Sequence, residues 1–230
     1  MVYKKSTMEK LVKNFYKNKK ILITGATGFK GAWLSYWLYL LNAKVIGVGR
    51  KPNKNDNLFK QLKLEKKIEI KYFDIREKKK LEALIKKFKP NIIFHLAAQP
   101  IISVGYKNPE ETITVNSIGT LNIVEICKNL RFVKSIVCVT SDKCYENNFS
   151  TKGFKENDKL GGSDPYSASK ANAEIIVKSY SKSFYLKNKK GLATGRAGNV
   201  IGGGDWSPNR LIPDCVKWIT KDKLIYLRRP

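Results

Sequence analysis

The sequence predicts an α/β fold, a doubly wound parallel sheet flanked by helices, and three observations carry that expectation. Short apolar runs alternate with helix-length segments along the chain. The runs are near-continuous in apolar character, as from Ser135 to Thr140, which is the pattern of strands covered on both faces in a parallel sheet. The first of them leads straight into a glycine-rich turn, Thr24-Gly25-Ala26-Thr27-Gly28-Phe29-Lys30-Gly31, that opens a helix. Strands joined by helices at this spacing imply right-handed crossovers.

Residues 1–18 are polar and lysine-rich, with amphipathic spacing at Met8, Leu11, Val12 and Phe15, and read as a loosely attached basic lead-in. Ile21 to Thr24 is the first strand, and Trp33 to Leu41 the helix after the glycine turn, ending near Asn42. Lys44 to Val48 and Ile68 to Phe73 are the second and third strands. A helix from Glu77 to Phe88 is stopped by Pro90, and Ile92 to Leu96 is the fourth strand. A long helix is expected from Glu110 to Asn129, then the fifth strand, Ser135 to Thr140. Residues 147–162 read as a polar loop, followed by a helix from Tyr166 to about Tyr185 and a sixth strand from Leu192 to Ala197.

A chain of 230 residues with 42% hydrophobic and 11% aromatic content can bury a full core near the upper end of single-domain size. Net charge is the outlier, at +26. Of the 45 basic residues only seven are arginine, and the lysines are spread through every segment, whereas nucleic-acid readers deploy arginine forks on one face. No specific nucleic-acid partner is expected, although polyanions should bind nonspecifically at low salt. The four cysteines show no metal-ligand spacing and no secretory context, which suits reduced thiols in a cytoplasmic protein, and no metal site is expected. With His95 the only histidine, hydrolase triads are disfavoured. The longest apolar stretch, Trp33 to Leu41, is too short to span a bilayer, so no membrane association is expected.

Gly25, Gly28 and Gly31 lie between a strand and a helix, the context a dinucleotide fingerprint needs. Bare backbone can turn tightly there and approach a pyrophosphate at the helix N-terminus. Thr27 and Phe29 belong to the same turn and join the candidate cofactor contacts. Some 20 positions on, where NAD readers usually place an acid, stands Gly49-Arg50-Lys51, and a cation at Arg50 could suit a 2′-phosphate. Asp74, closing the third strand, could accept from an adenine amino group. After the fourth strand, His95-Leu96-Ala97-Ala98-Gln99 offers small residues, Ala97 among them, that let backbone approach the cofactor; His95 itself reads as structural. Gln99 is a candidate substrate contact.

Two signatures carry the chemistry. Tyr166 and Lys170 are four apart and share a helix face, with Asp164 as cap and Pro165 in the first position. To act as a base near neutrality the phenol must drop from about 10 by roughly 3 units, worth about 4 kcal/mol, for which a neighbouring ammonium and a cationic nicotinamide are the sources. Ser141-Asp142-Lys143 follows the fifth strand, at the carboxyl edge where open α/β sheets bind ligands. An acid beside an amine there can supply one proton donor and one acceptor. Cys144, next to them, reads as packing.

With these residues in place the chain resembles the extended short-chain dehydrogenase/reductases, and most closely the CDP-glucose 4,6-dehydratases. The resemblance covers about Lys20 to Pro230 and rests on TGATGFKGAWL from Thr24, HLAAQP from His95, TSDKCYEN from Thr140, GFKENDKLGGSDPYSASK from Gly153 and RAGNVIGGGDW from Arg196. It implies a Rossmann-type sheet over 19–190, with 191–230 holding the last strand and the start of a truncated substrate-binding lobe. It implies NAD as cofactor, with NADP the lesser alternative, a nucleotide-sugar substrate and a homodimer.

The activity implied is transient oxidation at carbon 4 with Tyr166 as base and Lys170 orienting the ribose. Loss of the carbon 5 proton with the 6-hydroxyl then follows, and hydride return gives a 4-keto-6-deoxy sugar. By position Ser141 would hold the 4-oxygen, Asp142 would protonate the leaving hydroxyl and Lys143 would lie near carbon 5; standing where other 4,6-dehydratases use glutamate, Lys143 is the expected base there. Asn116 would lie beside the site, while Asn199 and Arg210 would contact the sugar nucleotide. The chain departs from the family's frequent arginine at Ser103, histidine at Ser163 and bulkier residue at Gly195. A nucleotide-sugar 4-epimerase and a non-catalytic dinucleotide- or polyanion-binding module are the alternatives. The acid-amine couple after the fifth strand argues against the first.

Overall fold

The protein is described here by a computed structural model covering residues 7–52, 58–146 and 152–225. Six strands, β1 (Lys20–Thr24), β2 (Lys44–Gly49), β3 (Glu69–Tyr72), β4 (Ile92–His95), β5 (Ser135–Val139) and β6 (Gly191–Gly195), form one parallel sheet in the order β3-β2-β1-β4-β5-β6. The chain winds outward from β1 to β3, returns past β1 and winds outward again on the other side. That reversal opens a crevice above the carboxyl ends of β1 and β4, where Thr24 and His95 stand in register.

The central strands β1, β2 and β4 are covered on both faces, as near-continuous apolar runs predict, whereas β5 alternates buried with half-buried residues and the edge strands β3 and β6 bury no residue fully. Leu22, Ile46, Ile93 and Ile136 point into one core, closed by Ile123, Val124, Val177 and Tyr185. Ile21 and Ile23, pointing the other way, build a second core with Leu38, Val45 and Ile68. Each fully buried aliphatic contributes about 1.5–3 kcal/mol of hydrophobic free energy, so the two-sided strands are the main source of stability.

Helices α1 (Thr7–Tyr16), α2 (Phe29–Leu40), α3 (Leu58–Gln61), α4 (Lys78–Phe88), α5 (Ile102–Lys107), α6 (Pro109–Ile113), α7 (Gly119–Cys127), α8 (Pro165–Tyr180) and α9 (Leu211–Ile219) surround the sheet. The lead-in is helical from Thr7 and buries no residue fully, but its Tyr16 packs on the second core and edge-on to Trp37. The short α3 and α5 lack a sequence signal that sets them apart from loop, whereas α9 carries helical apolar spacing at Leu211, Ile212, Cys215, Val216 and Ile219 that the sequence reading passed over. The expected long helix is interrupted: a π turn at Thr114–Ile118 separates α6 from α7, and a second, Ser181–Tyr185, prolongs α8. Such single-turn insertions re-aim side chains without breaking the helix and cluster at functional sites. Part of the predicted polar loop, 147–151, lies outside the described residues. Among the described residues no helix is long and apolar enough to cross a membrane.

Candidate active site

The glycine turn is set by close backbone approach. Gly25 has φ +73°, and a Cβ there would meet Ala97 N at 2.7 Å, so the turn lies flush on the segment after β4. A Cβ at Gly31 would collide with the Gly25 carbonyl, fixing how closely α2 starts beside β1. Gly28 is the N-cap of α2 and offers no side-chain cap. Thr27 donates from Oγ1 to the Arg50 carbonyl at 2.9 Å, pinning the end of β2 to the turn. Phe29 lies beneath Gly202, and Trp33 Nε1 donates to Gly203 O at 2.9 Å, which folds the segment after β6 over α2.

Around the rim, the exposed Arg50 guanidinium pairs with Glu111 at 3.3 Å. Both oxygens of Asp74 meet Arg76, whose guanidinium holds that carboxyl below the ordinary range. His95 is buried between two hydroxyls: Thr24 Oγ1 lies 2.7 Å from Nδ1 and Thr120 Oγ1 3.2 Å from Nε2. Because Thr120 spends its proton on the Asn116 carbonyl, Nε2 must donate and Nδ1 accept. Burial, with Lys170 nearby, pushes the imidazole down to about 3, so it is neutral and structural.

On α8, Asp164 Oδ1 accepts from Tyr166 N at 2.9 Å and Ser167 N at 3.0 Å, with Pro165 in the first position, as expected. This seats Tyr166 in the opening turn, buried at 8% exposure, with Lys170 Nζ 6.0 Å from its ring centroid. Ser141 links the two signatures. Its hydroxyl donates to Asp142 Oδ1 at 2.9 Å and accepts from Lys143 N at 3.2 Å, and it stands beside the Tyr166 phenol, whose ionisation it favours. Lys143 Nζ lies 3.7 Å from Asp142 Oδ2, with both side chains about half exposed toward solvent. Tyrosine, serine, acid and amine thus stand together at the carboxyl edge.

The electrostatics differ from the sequence expectation in one respect. Burial raises the Tyr166 phenol; Ser141 and Arg210 pull it down without offsetting burial, and Asp142 and Asp164 push the same way as burial. Lys170, buried beside Lys30, is itself pushed down to about 8. Lys30 and Arg210 are cations of this cleft that sequence reasoning did not single out for this role, although Lys30 stands within the glycine turn. Arg210 is the N-cap of α9, with Nε 3.8 Å from the buried Asp205. Asn199 is exposed on the segment after β6, where a Cβ on neighbouring Gly198 would lie 3.9 Å from Asp142 Oδ2.

Gln99 and Asn116 are both buried, and their polar atoms are engaged within the protein. Asn116 accepts from Gln99 N at 2.8 Å and donates to Gln99 O at 3.1 Å and Ser169 Oγ at 2.8 Å. Gln99 donates to Ile101 O and Thr112 Oγ1 and accepts from Ile101 N. These two side chains tie the loop after β4 to the π turn and to α8 instead of facing the cleft.

One further group escaped sequence reading. Glu174, 3% exposed on α8, accepts from Thr140 Oγ1, from Thr194 Oγ1 at 3.0 Å and from Arg196 at 2.7 Å, so a single carboxylate joins the ends of β5 and β6 to the helix of Tyr166. Cys144 is buried, and burial pushes its thiol up to about 11. Among the described residues no cluster of three histidine, cysteine or acidic side chains could hold a metal.

Comparison with known proteins agrees with this geometry. The family model for GDP-mannose 4,6 dehydratase matches residues 22–227. A CDP-glucose 4,6-dehydratase from Salmonella typhimurium is 42% identical over 223 residues, which are 95% of this chain and 62% of that protein, so the chain spans less than two thirds of that relative's length. Among solved structures, an epimerase from Methanothermobacter thermautotrophicus superposes with a TM-score of 0.81 at 25% identity, covering 95% of this chain and 63% of its own. The dTDP-glucose 4,6-dehydratase of Bacillus anthracis, solved in complex with NAD, gives 0.75 at 26% identity, covering 90% and 63%.

Proposed function

The chain belongs to the GDP-mannose 4,6 dehydratase family, and from that membership we propose that it carries the reacting groups of an NAD-dependent sugar-nucleotide 4,6-dehydratase, with CDP-glucose the preferred substrate. The observation that carries the reading is that Ser141, hydrogen-bonded to Asp142 and to the Lys143 amide, stands beside the Tyr166 phenol at the mouth of the crevice.

The glycine turn fits a dinucleotide, since its bare backbone lies against Ala97 and the first amides of α2 have no side-chain cap. Gly25, Gly28, Gly31 and Ala97 would hold the pyrophosphate side, with Thr27 and Phe29 fixing the turn and Asp74 and Arg50 at the adenosine end. Arg50 is already paired with Glu111, which favours NAD over NADP. When bound, the nicotinamide supplies the acceptor and later the donor of one hydride, and a positive charge beside the phenol.

Tyr166 takes the proton of the 4-hydroxyl, helped by the cations Arg210 and Lys170, while Ser141 holds the 4-oxygen. Lys170 also orients the ribose. Asp142 protonates the departing 6-hydroxyl and Lys143, as the free amine, takes the proton from carbon 5, which the neighbouring ketone acidifies. Asn199 and Arg210 hold the sugar nucleotide. Gln99 and Asn116 act only from within the protein, fixing the loop after β4 through their mutual hydrogen bonds. On this reading residues 19–190 would be the dinucleotide-binding part, and 191–230 its last strand and the start of the substrate lobe.

Incubation with CDP-glucose and NAD⁺ tests the proposal. Elimination gives a 4-keto-6-deoxy product lighter by one water; an epimerase, the reading favoured by the superposition on the Methanothermobacter structure, gives an isomer of unchanged mass. Tyr166→Phe is expected to slow turnover by about 10²–10⁴-fold. Lys143→Ala should abolish exchange of the carbon 5 proton with solvent, and full-rate exchange in that variant overturns its role. Cofactor binding measured alongside separates a chain that binds without turnover from one that does neither.

A further inference from the structure

Tyr166, Lys170 and Glu174 follow one another at four-residue steps on α8, so phenol, ammonium and carboxylate form a column along one buried face. A carboxylate one turn from a buried ammonium is its natural partner. Here its oxygens are filled from elsewhere, by the hydroxyls of Thr140 and Thr194 and by Arg196 at 2.7 Å. Arg196 is itself anchored, donating to Tyr145 OH at 2.8 Å and Glu156 O at 2.9 Å and stacking on the Tyr145 ring at 4.9 Å. Its Nε is buried without a partner, a cost accepted for this placement. Lys170 Nζ turns to the Val139 carbonyl at 3.4 Å instead.

We propose that Arg196 is a positioning residue that engages Glu174 so that Lys170 is left without a carboxylate partner, its ammonium free for the Tyr166 phenol and for the ribose hydroxyls of a dinucleotide. The proposal rests on reading Tyr166 and Lys170 as the reacting pair. The charged and titratable groups around Lys170 are Lys30 from α2, His95 from β4, Cys138 from β5, Cys144 after it, and Tyr166 and Glu174 on α8 itself. Of these Glu174 alone is a carboxylate. Burial first and Lys30 second keep the Lys170 amine down to about 8, against a smaller upward pull from Cys138, Glu174 and Cys144; direct pairing with Glu174 would raise it further.

The test follows Lys170 in protein labelled with ¹³C at lysine Cε, where a side chain titrating near 8 stands apart from surface lysines and its resonance is assigned by its loss in Lys170→Arg. Arg196→Gln frees Glu174 and should raise the Lys170 midpoint by roughly one to three units. Arg196→Lys, which keeps the cation, should leave it in place. Glu174→Gln with Arg196→Gln, an uncharged pair of similar shape, should hold the wild-type midpoint. A folded Arg196→Gln variant with an unmoved midpoint overturns the proposal. Should Arg196→Gln fail to fold, the double variant decides: a fall of about one unit or more there means that Glu174 already supports Lys170 in the wild type, and the proposal fails. The titration needs no substrate, so absence of turnover in the wild-type chain counts against the dehydratase reading alone.

Discussion

The side-chain amide of Asn116 donates to Ser169 Oγ at 2.8 Å, joining the π turn before α7 to the helix that carries Tyr166 and Lys170. Ser169 passes its own proton to the Tyr166 carbonyl at 2.6 Å. Neither residue is exposed, so the connection acts only through geometry.

Asn116→Ala is therefore expected to cost about 2–4 kcal/mol in urea unfolding, because it leaves the buried Gln99 amide and carbonyl without partners as well as Ser169. Ser169→Ala should cost about 1 kcal/mol, losing one acceptor for Asn116. Equal losses from the two variants count against the idea that Asn116 anchors the loop after β4.

Gly31→Ala places a methyl group against the Gly25 carbonyl, a backbone atom that cannot move aside. We expect a loss of about 1–3 kcal/mol in stability and a larger loss of NAD affinity, read by titration calorimetry. An unchanged affinity would show that the turn does not position a dinucleotide.

His95 is the one histidine, so imidazole NMR reports on it alone. A flat shift from pH 5 to 8, with the proton on Nε2, is expected. The folded value near 3 lies below the ordinary 6.5, so unfolding takes up a proton between those limits. Stability is unaffected above that window and falls through it toward acid, by about 1.4 kcal/mol per pH unit at most. A midpoint near neutrality would remove this contribution.

Lys190 donates to three carbonyls at the end of α7 and beyond, Cys127 at 2.9 Å, Lys128 at 3.0 Å and Leu130 at 2.8 Å. Lys190→Met keeps the volume and strands the acceptors, with an expected cost of about 2–4 kcal/mol and little change in cofactor affinity. A neutral substitution would mean that water satisfies those carbonyls as well as the ammonium does.

The strands and the two chemical signatures were legible because each has a local cause: buried β-branched runs for the strands, helix capping by Asp164 for Tyr166, backbone crowding for Gly25. What escaped the sequence is what depends on partners far along the chain. Gln99 and Asn116 are polar residues at site-like positions, and their composition is the same whether they face a ligand or each other's backbone. Glu174 stands visibly four residues after Lys170, yet nothing local announces that Arg196, just after β6, will claim it. The π turn at Thr114–Ile118 carries no signal either, since helix periodicity around it is nearly unbroken.

The central position of β1 has a consequence for how the chain is made. One edge of β1 pairs with β2, which follows soon after it, but the other waits for β4, whose His95 comes 71 residues after Thr24. During synthesis that open edge, lined by Ile21 and Ile23, offers unpaired amides and carbonyls to any other nascent strand. Closing so long a loop into a parallel ladder is slow. Refolding yield is thus expected to fall steeply with protein concentration, and chaperones that isolate single chains should recover it.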